Sequence, residues 1–177
     1  ANVEIRDRVG DDNMFLFGMT ADEVQALWQR GYDPHQFLTP ELDRIQLAIL
    51  KAFCQYRKPV FGICKGMQLI NIAFGGDMLR HLPTAVHHAY REKDQMHPAR
   101  NEVNSFLYEV YGSDMLVNSA HHQGVGIPGR GIRYVQYAPD GVVEGLQHEF
   151  LPVYGVQWHP ERLERDIKKL KKLFKIT

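Results

Sequence analysis

Cysteine is scarce in this chain of 177 residues: Cys54 and Cys64 are the only two. They are too few for a disulfide framework, so free thiols in a reducing, cytoplasmic setting are expected. Charge of one sign is not in excess either. Lys and Arg total 21 and so do Asp and Glu, which gives no reason to expect attraction to nucleic acid or an anionic membrane. No apolar run reaches the roughly 18 residues that read as a membrane span, and no signal-peptide pattern is present. Repeats, low-complexity tracts and Ser/Gly linkers are missing too. One domain over residues 1–177 is therefore expected.

What the chain does contain is apolar periodicity broken by sharp stops. Met14-Phe15-Leu16-Phe17 is a short apolar run ended by Gly18, as in a buried strand. Thr20 with Glu23 forms a capping box before a helix that Gly31 stops. Thr39-Pro40 opens a second helix, with Leu42, Ile45, Ile49, Ala52, Phe53 and Tyr56 at helical spacing. Val60–Ile63 reads as a buried strand running into Cys64, and a helix from Met67 to Phe74 ends at Gly75-Gly76. Met115–Val117, Ile132–Tyr137, Gly141–Leu146 and Val153–Trp158 are β-like, and Pro139-Asp140-Gly141 marks a tight turn. The polar stretch from His87 to Arg100 reads as a loop. A lysine-rich amphipathic helix closes the chain, its charge run read as a solvated face. Strands alternating with helices and followed by hairpins define an α/β layered fold.

Gly62-Ile63-Cys64-Lys65-Gly66 carries the most chemistry. It sets a nucleophilic side chain at a strand-to-helix turn, where backbone strain is expected and side chains at the flanking glycines would clash. The thiol then stands at a helix N-terminus, whose N–H groups favour an anion. The Lys65 amide would point to where an oxyanion forms.

Pro59–Leu69 together with Gly155-Val156-Gln157-Trp158-His159-Pro160-Glu161 resembles the class I glutamine amidotransferase family. More narrowly it is similar to the peptidase C26 branch, which contains γ-glutamyl-γ-aminobutyrate hydrolase. Asn71–Gly76, Asn118–Gln123 and Ala138–Glu144 resemble segments of the same branch, in order. The resemblance implies a mostly parallel, flavodoxin-like sheet flanked by helices, with antiparallel C-terminal hairpins. It also implies a triad: Cys64 as nucleophile, His159 as general base and then acid, and Glu161 as the group that orients the imidazole. Glu161 is expected to face the same way as His159 through the two-residue period of extended chain. Gln68, Ser119 and His121 are carried over as substrate-binding candidates. No cofactor is implied.

Relatives carry a Gly-Gly pair upstream whose backbone supplies a second oxyanion donor. Here Gly18-Met19 occupies the comparable place, with methionine where the second glycine is expected. About two βα units that relatives place before that strand have no room in the 13 residues ahead of Met14. A shortened sheet edge left open would favour self-association, so a homo-oligomer is expected. The nine histidines, including His87-His88, His97 and His121-His122, lack compact ligand spacing, so no metal site is expected. The implied activity is hydrolysis of a small-molecule γ-glutamyl amide through a Cys64 thioester. Two alternatives stand beside it. One is a glutaminase subunit passing ammonia to a synthase or ligase partner; the other is a catalytically weak binding protein that keeps the fold.

Overall fold

A computed structural model of the chain describes residues 15–17 and 40–173. The expected helix over Thr20–Gly31, the Gly18-Met19 pair and the Phe174 end of the last helix lie outside the described residues.

Strand β2 (Val60–Ile63) is buried at all four positions, as expected of a strand covered on both faces. It pairs in parallel with β1 (Phe15–Phe17) on one side and β9 (Val153–Val156) on the other. From β9 the sheet continues through antiparallel pairings to β8 (Val143–His148), β7 (Ile132–Tyr137), β4 (Gln95–Asn101) and β5 (Asp114–Ser119). The order is β1-β2-β9-β8-β7-β4-β5. The α/β architecture with C-terminal antiparallel hairpins is thus the observed one. Among the described residues the sheet is mixed rather than mostly parallel, with parallel pairing confined to β1, β2 and β9. A small second sheet pairs β3 (Met78–Leu79) with β6 (Gly124–Val125).

Alternation along the strands divides the core. Val60, Val153 and Leu146 face a cluster with Ile49, Leu50 and Phe53 of helix α1 (Pro40–Gln55) and Met67, Leu69 and Ile70 of α2 (Lys65–Ala73). Phe61, Ile63 and Val156 face the opposite cluster, with Phe106 and Leu107 of α3 (Phe106–Tyr111) and Leu170 of α4 (Glu164–Leu173). The sheet is therefore sandwiched between two helical layers. Ile45 and Tyr56, counted on the apolar face of α1, are instead exposed.

Two readings of the sequence need correction. Residues 95–100, expected in a loop, belong to β4 (Gln95–Asn101) despite Pro98. Over residues 95–99 this strand pairs only with β5, and β7 joins at Arg100 and Asn101, so a proline is tolerated on its open side. The strand expected to run to Trp158 stops at Val156. Gly141 (φ 85°) closes the β7–β8 turn as its sequence required, and Gly75 (φ 88°) ends α2.

Candidate active site

Two parallel strands deliver the key groups to one end of the sheet. Gly62 lies opposite Gly155 and Ile63 opposite Val156, so Cys64 follows β2 just where Gln157, Trp158 and His159 follow β9. The Cys64 amide donates to the Val156 carbonyl at 2.8 Å, locking the two exits together. Such a position, beyond the carboxyl ends of parallel strands, is where open α/β sheets bind ligands.

Cys64 has φ 50° and ψ −105°, a left-handed backbone conformation that costs a non-glycine residue on the order of 1–3 kcal/mol. The residue is the N-cap of α2. Close packing of the turn explains the glycine two residues earlier: a Cβ on Gly62 would stand 2.6 Å from the Gly66 carbonyl carbon. Lys65 is the first residue of α2, and its ammonium pairs with Asp43 of α1.

His159 is 2% exposed, and its Nδ1–H donates to Glu161 Oε1 at 2.6 Å. Because a carboxylate oxygen can only accept, this bond fixes the tautomer and leaves Nε2 for the thiol side. Burial alone would lower the His159 pKa. The charge and hydrogen bond of Cys64, and then those of Glu161, outweigh it and raise the pKa to about 9. The cysteine, imidazole and carboxylate thus form one hydrogen-bonded row. Glu161 does not reach the ring through strand alternation, as the sequence suggested. Residues Pro160–Arg162 form a 3-10 turn, and that turn swings the carboxylate back onto Nδ1. Pro160, with its fixed φ and no N–H to satisfy, suits the start of the turn.

Other residues hold this row in place, and two went unnoticed in the sequence. Asn118 clamps the His159 backbone from both sides: its Oδ1 accepts the His159 N–H at 3.0 Å and its Nδ2 donates to the His159 carbonyl at 3.0 Å. The same Nδ2 donates to Asp94, which also pairs with Arg162 of the turn. Gln157 is wholly buried, and its Nε2 donates to Cys64 Sγ at 3.4 Å. A glutamine between Val156 and Trp158, where the chain is otherwise apolar, is the signal that could have singled it out. Gln68 donates through Nε2 to Gln157 Oε1 at 3.1 Å and to the Gln123 carbonyl at 3.4 Å. Its amide nitrogen is therefore engaged inside the protein, behind Cys64.

Ser119 and His121, the other substrate-binding candidates, are engaged within the protein. Both are buried, at 0% and 2% exposure. Ser119 Oγ donates to the His88 carbonyl at 3.1 Å and His121 Nδ1 donates to the Gln123 carbonyl at 2.8 Å. Around them, histidines scattered in sequence come together. His88, His97 and His121 each place a ring nitrogen 3.4 Å from Glu144 Oε1, and Glu144 is fully buried. Burial would raise the Glu144 pKa, but the histidines around it, His121 foremost, hold it well below the usual carboxylate range. His88, His121 and Glu144 have the donor set of a metal centre, which sequence spacing did not suggest.

The architecture matches that of solved glutamine amidotransferases. A Thermotoga maritima glutamine amidotransferase superposes with a TM-score of 0.61 over 92% of this chain and 62% of its own, at 16% identity, a likeness of fold. In sequence, the Peptidase C26 profile matches residues 12–161, and the chain belongs to that family. NtpR of Enterococcus hirae is 33% identical over 130 residues, covering 67% of this chain and 54% of NtpR. The γ-glutamyl-γ-aminobutyrate hydrolase PuuD of Escherichia coli is 31% identical over 168 residues, covering 85% of this chain and 64% of the hydrolase. The chain thus spans about half to two-thirds of the length of these curated relatives. No helix among the described residues is long and apolar enough to cross a membrane.

Proposed function

We propose that this chain hydrolyses a γ-glutamyl amide with Cys64 as nucleophile, His159 as general base and acid, and Glu161 as the orienting carboxylate. The observation that carries the reading is the row itself: a strained Cys64 at a helix N-terminus, bonded to an imidazole whose far nitrogen is held by a carboxylate at 2.6 Å. Cys64 sulfur attacks the γ-carbonyl carbon, its proton having passed to His159 Nε2. The tetrahedral oxyanion is met by the Lys65 amide, with the Gly18-Met19 backbone as the second donor we propose. Collapse breaks the C–N bond as His159 protonates the departing amine, leaving a γ-glutamyl thioester on Cys64. Water, deprotonated by His159, then attacks the thioester carbonyl. Glutamate leaves and the cysteine is restored.

Similarity to the γ-glutamyl-γ-aminobutyrate hydrolase over 85% of this chain favours a self-sufficient hydrolase over a subunit that feeds ammonia to a synthase. Gln68 remains our proposed contact for the glutamyl group, through its Oε1, since Nε2 is spent on Gln157 and Gln123. The test is incubation with a glutamine-mimicking affinity label followed by peptide mass spectrometry. We expect one adduct per chain, on Cys64, and none in Cys64→Ala; a folded chain left unlabelled supports a binding protein instead. Glutamate release from γ-glutamyl amines that exceeds release from glutamine marks the hydrolase, and the reverse marks an ammonia donor.

A further inference from the structure

The cluster around Glu144 lies apart from the catalytic row, and the proposed hydrolysis makes no use of its side chains. It is assembled from four separate stretches of chain. His88 follows the 3-10 turn Ala85–His87, His97 lies on β4, His121 lies between β5 and β6, and Glu144 lies on β8. The hydrogen bonds on the outer side of each ring decide what the inner side can do. His121 Nδ1 faces the Gln123 carbonyl at 2.8 Å, and His97 Nδ1 faces the Pro98 carbonyl at 2.9 Å. His88 Nε2 faces the Asp140 carboxylate at 2.9 Å. None of these oxygens can donate, so the proton of each neutral ring sits on its outer nitrogen.

The three inner nitrogens then present lone pairs, and all three aim at the same Glu144 oxygen from 3.4 Å. Lone pairs converging on a buried anion repel it unless something positive stands between them. The separations are too long for charge-assisted hydrogen bonds, which run at about 2.7–2.9 Å. Neither Glu144 oxygen has a well-formed hydrogen bond, and neither has His97 Nε2 or His121 Nε2. The Ser119 hydroxyl, 3.2 Å from His88 Nδ1, sends its proton to the His88 carbonyl instead. By contrast, 3.4 Å suits donors that share a cation. Ligands bound at about 2.0–2.2 Å stand about 3.3–3.6 Å apart along a tetrahedral edge. The donors of His88, His121 and Glu144 all lie within 4.8 Å of one another. Each imidazole is braced from behind by a carbonyl or carboxylate, the outer-sphere arrangement that metal-bound histidines adopt.

We propose that His88, His121 and Glu144 hold a first-row divalent cation, zinc by ligand type, in a buried structural site. Two positive charges would balance Glu144 and Asp140. Burial with no access for substrate fits a structural rather than a catalytic role for the cation. The cation would brace the wall behind the nucleophile. The Gln123 carbonyl that orients His121 also receives Gln68, and the Glu144 carbonyl receives the Gln157 amide at 2.9 Å.

The test uses the full chain and needs no activity. After dialysis against a chelator, zinc alone is titrated calorimetrically and the thermal midpoint is followed. Cobalt(II) is added in a parallel sample to read coordination from its visible absorption. We expect one equivalent of zinc per chain, a raised midpoint and an intense tetrahedral cobalt spectrum, all retained in Cys64→Ala. Affinity should fall at least a hundredfold in His121→Ala and in Glu144→Gln. Should those variants fail to fold, the wild-type titration still decides. A folded, chelator-treated chain that takes up no zinc overturns the proposal, and so does binding that is lost in Cys64→Ala.

Discussion

At the scale of single residues, the active row depends on where one proton sits. His159 has its pKa raised to about 9 against an ordinary value of 6.5, so the folded chain holds a proton there that the unfolded chain releases. The stability this provides is complete below about pH 6.5 and is lost as pH rises through about 9. Removing the Glu161 charge takes away one of the raising influences. In Glu161→Gln the alkaline loss of stability should therefore begin at lower pH, seen as a downward shift in the pH profile of the thermal midpoint. The same change should lower turnover by about 10²–10⁴-fold, because the ring loses the acceptor that fixes its tautomer. A wild-type pH profile in that variant would show that Glu161 does not act through His159. The roles of His159 and Glu161 could be suggested from the sequence because both fall within one short motif. Gln157 stayed hidden because its importance comes from a sulfur 93 positions away in the chain.

At the scale of elements, the turn between β2 and α2 sets Cys64, the proposed nucleophile, and glycine makes that turn possible. An alanine at position 62 would drive its Cβ to 2.6 Å from the Gly66 backbone and 2.7 Å from Ile70 Cδ1. Backbone cannot yield as a side chain can, so Gly62→Ala should cost at least about 1–3 kcal/mol and most of the activity. Gly155→Ala on the neighbouring strand meets Met67 at Cγ, 2.9 Å away, and no backbone atom closer than Met67 Cα at 3.2 Å. Urea unfolding of the two variants should show the larger loss at position 62; equal losses would mean that the turn is less tightly packed than its distances indicate. Elements with a strong local signature were legible before folding: the buried run Val60–Ile63, the glycine stop after α2 and the Pro139-Asp140-Gly141 turn. β4 was not, since histidine, proline and arginine give it no apolar alternation. Its place in the sheet comes from pairing with β5, a contact outside its own sequence.

At the scale of the molecule, seven strands gather residues that no spacing rule connects. The β5 exit supplies Asn118 to clamp His159, and the next few residues supply His121 to the cluster around Glu144. The proposed catalytic row draws on two contiguous motifs, which is why the sequence could suggest it. The histidine cluster draws on four stretches, and its members gain meaning only once the sheet has closed. Among the described residues β1 and β5 are the edge strands of the main sheet. We propose that the chain associates with itself, and sedimentation velocity should show a species of at least dimer size at micromolar concentration; a sharp monomer boundary at high concentration would contradict this.

The most direct measurement of the central claim is intact-mass spectrometry of the chain, quenched in acid during turnover of a γ-glutamyl amide. The expected result is a mass increase of one γ-glutamyl acyl group, mapped to Cys64 and released by hydroxylamine. Substrate turnover with no acyl group on that cysteine, or with the acyl group on another residue, would contradict it.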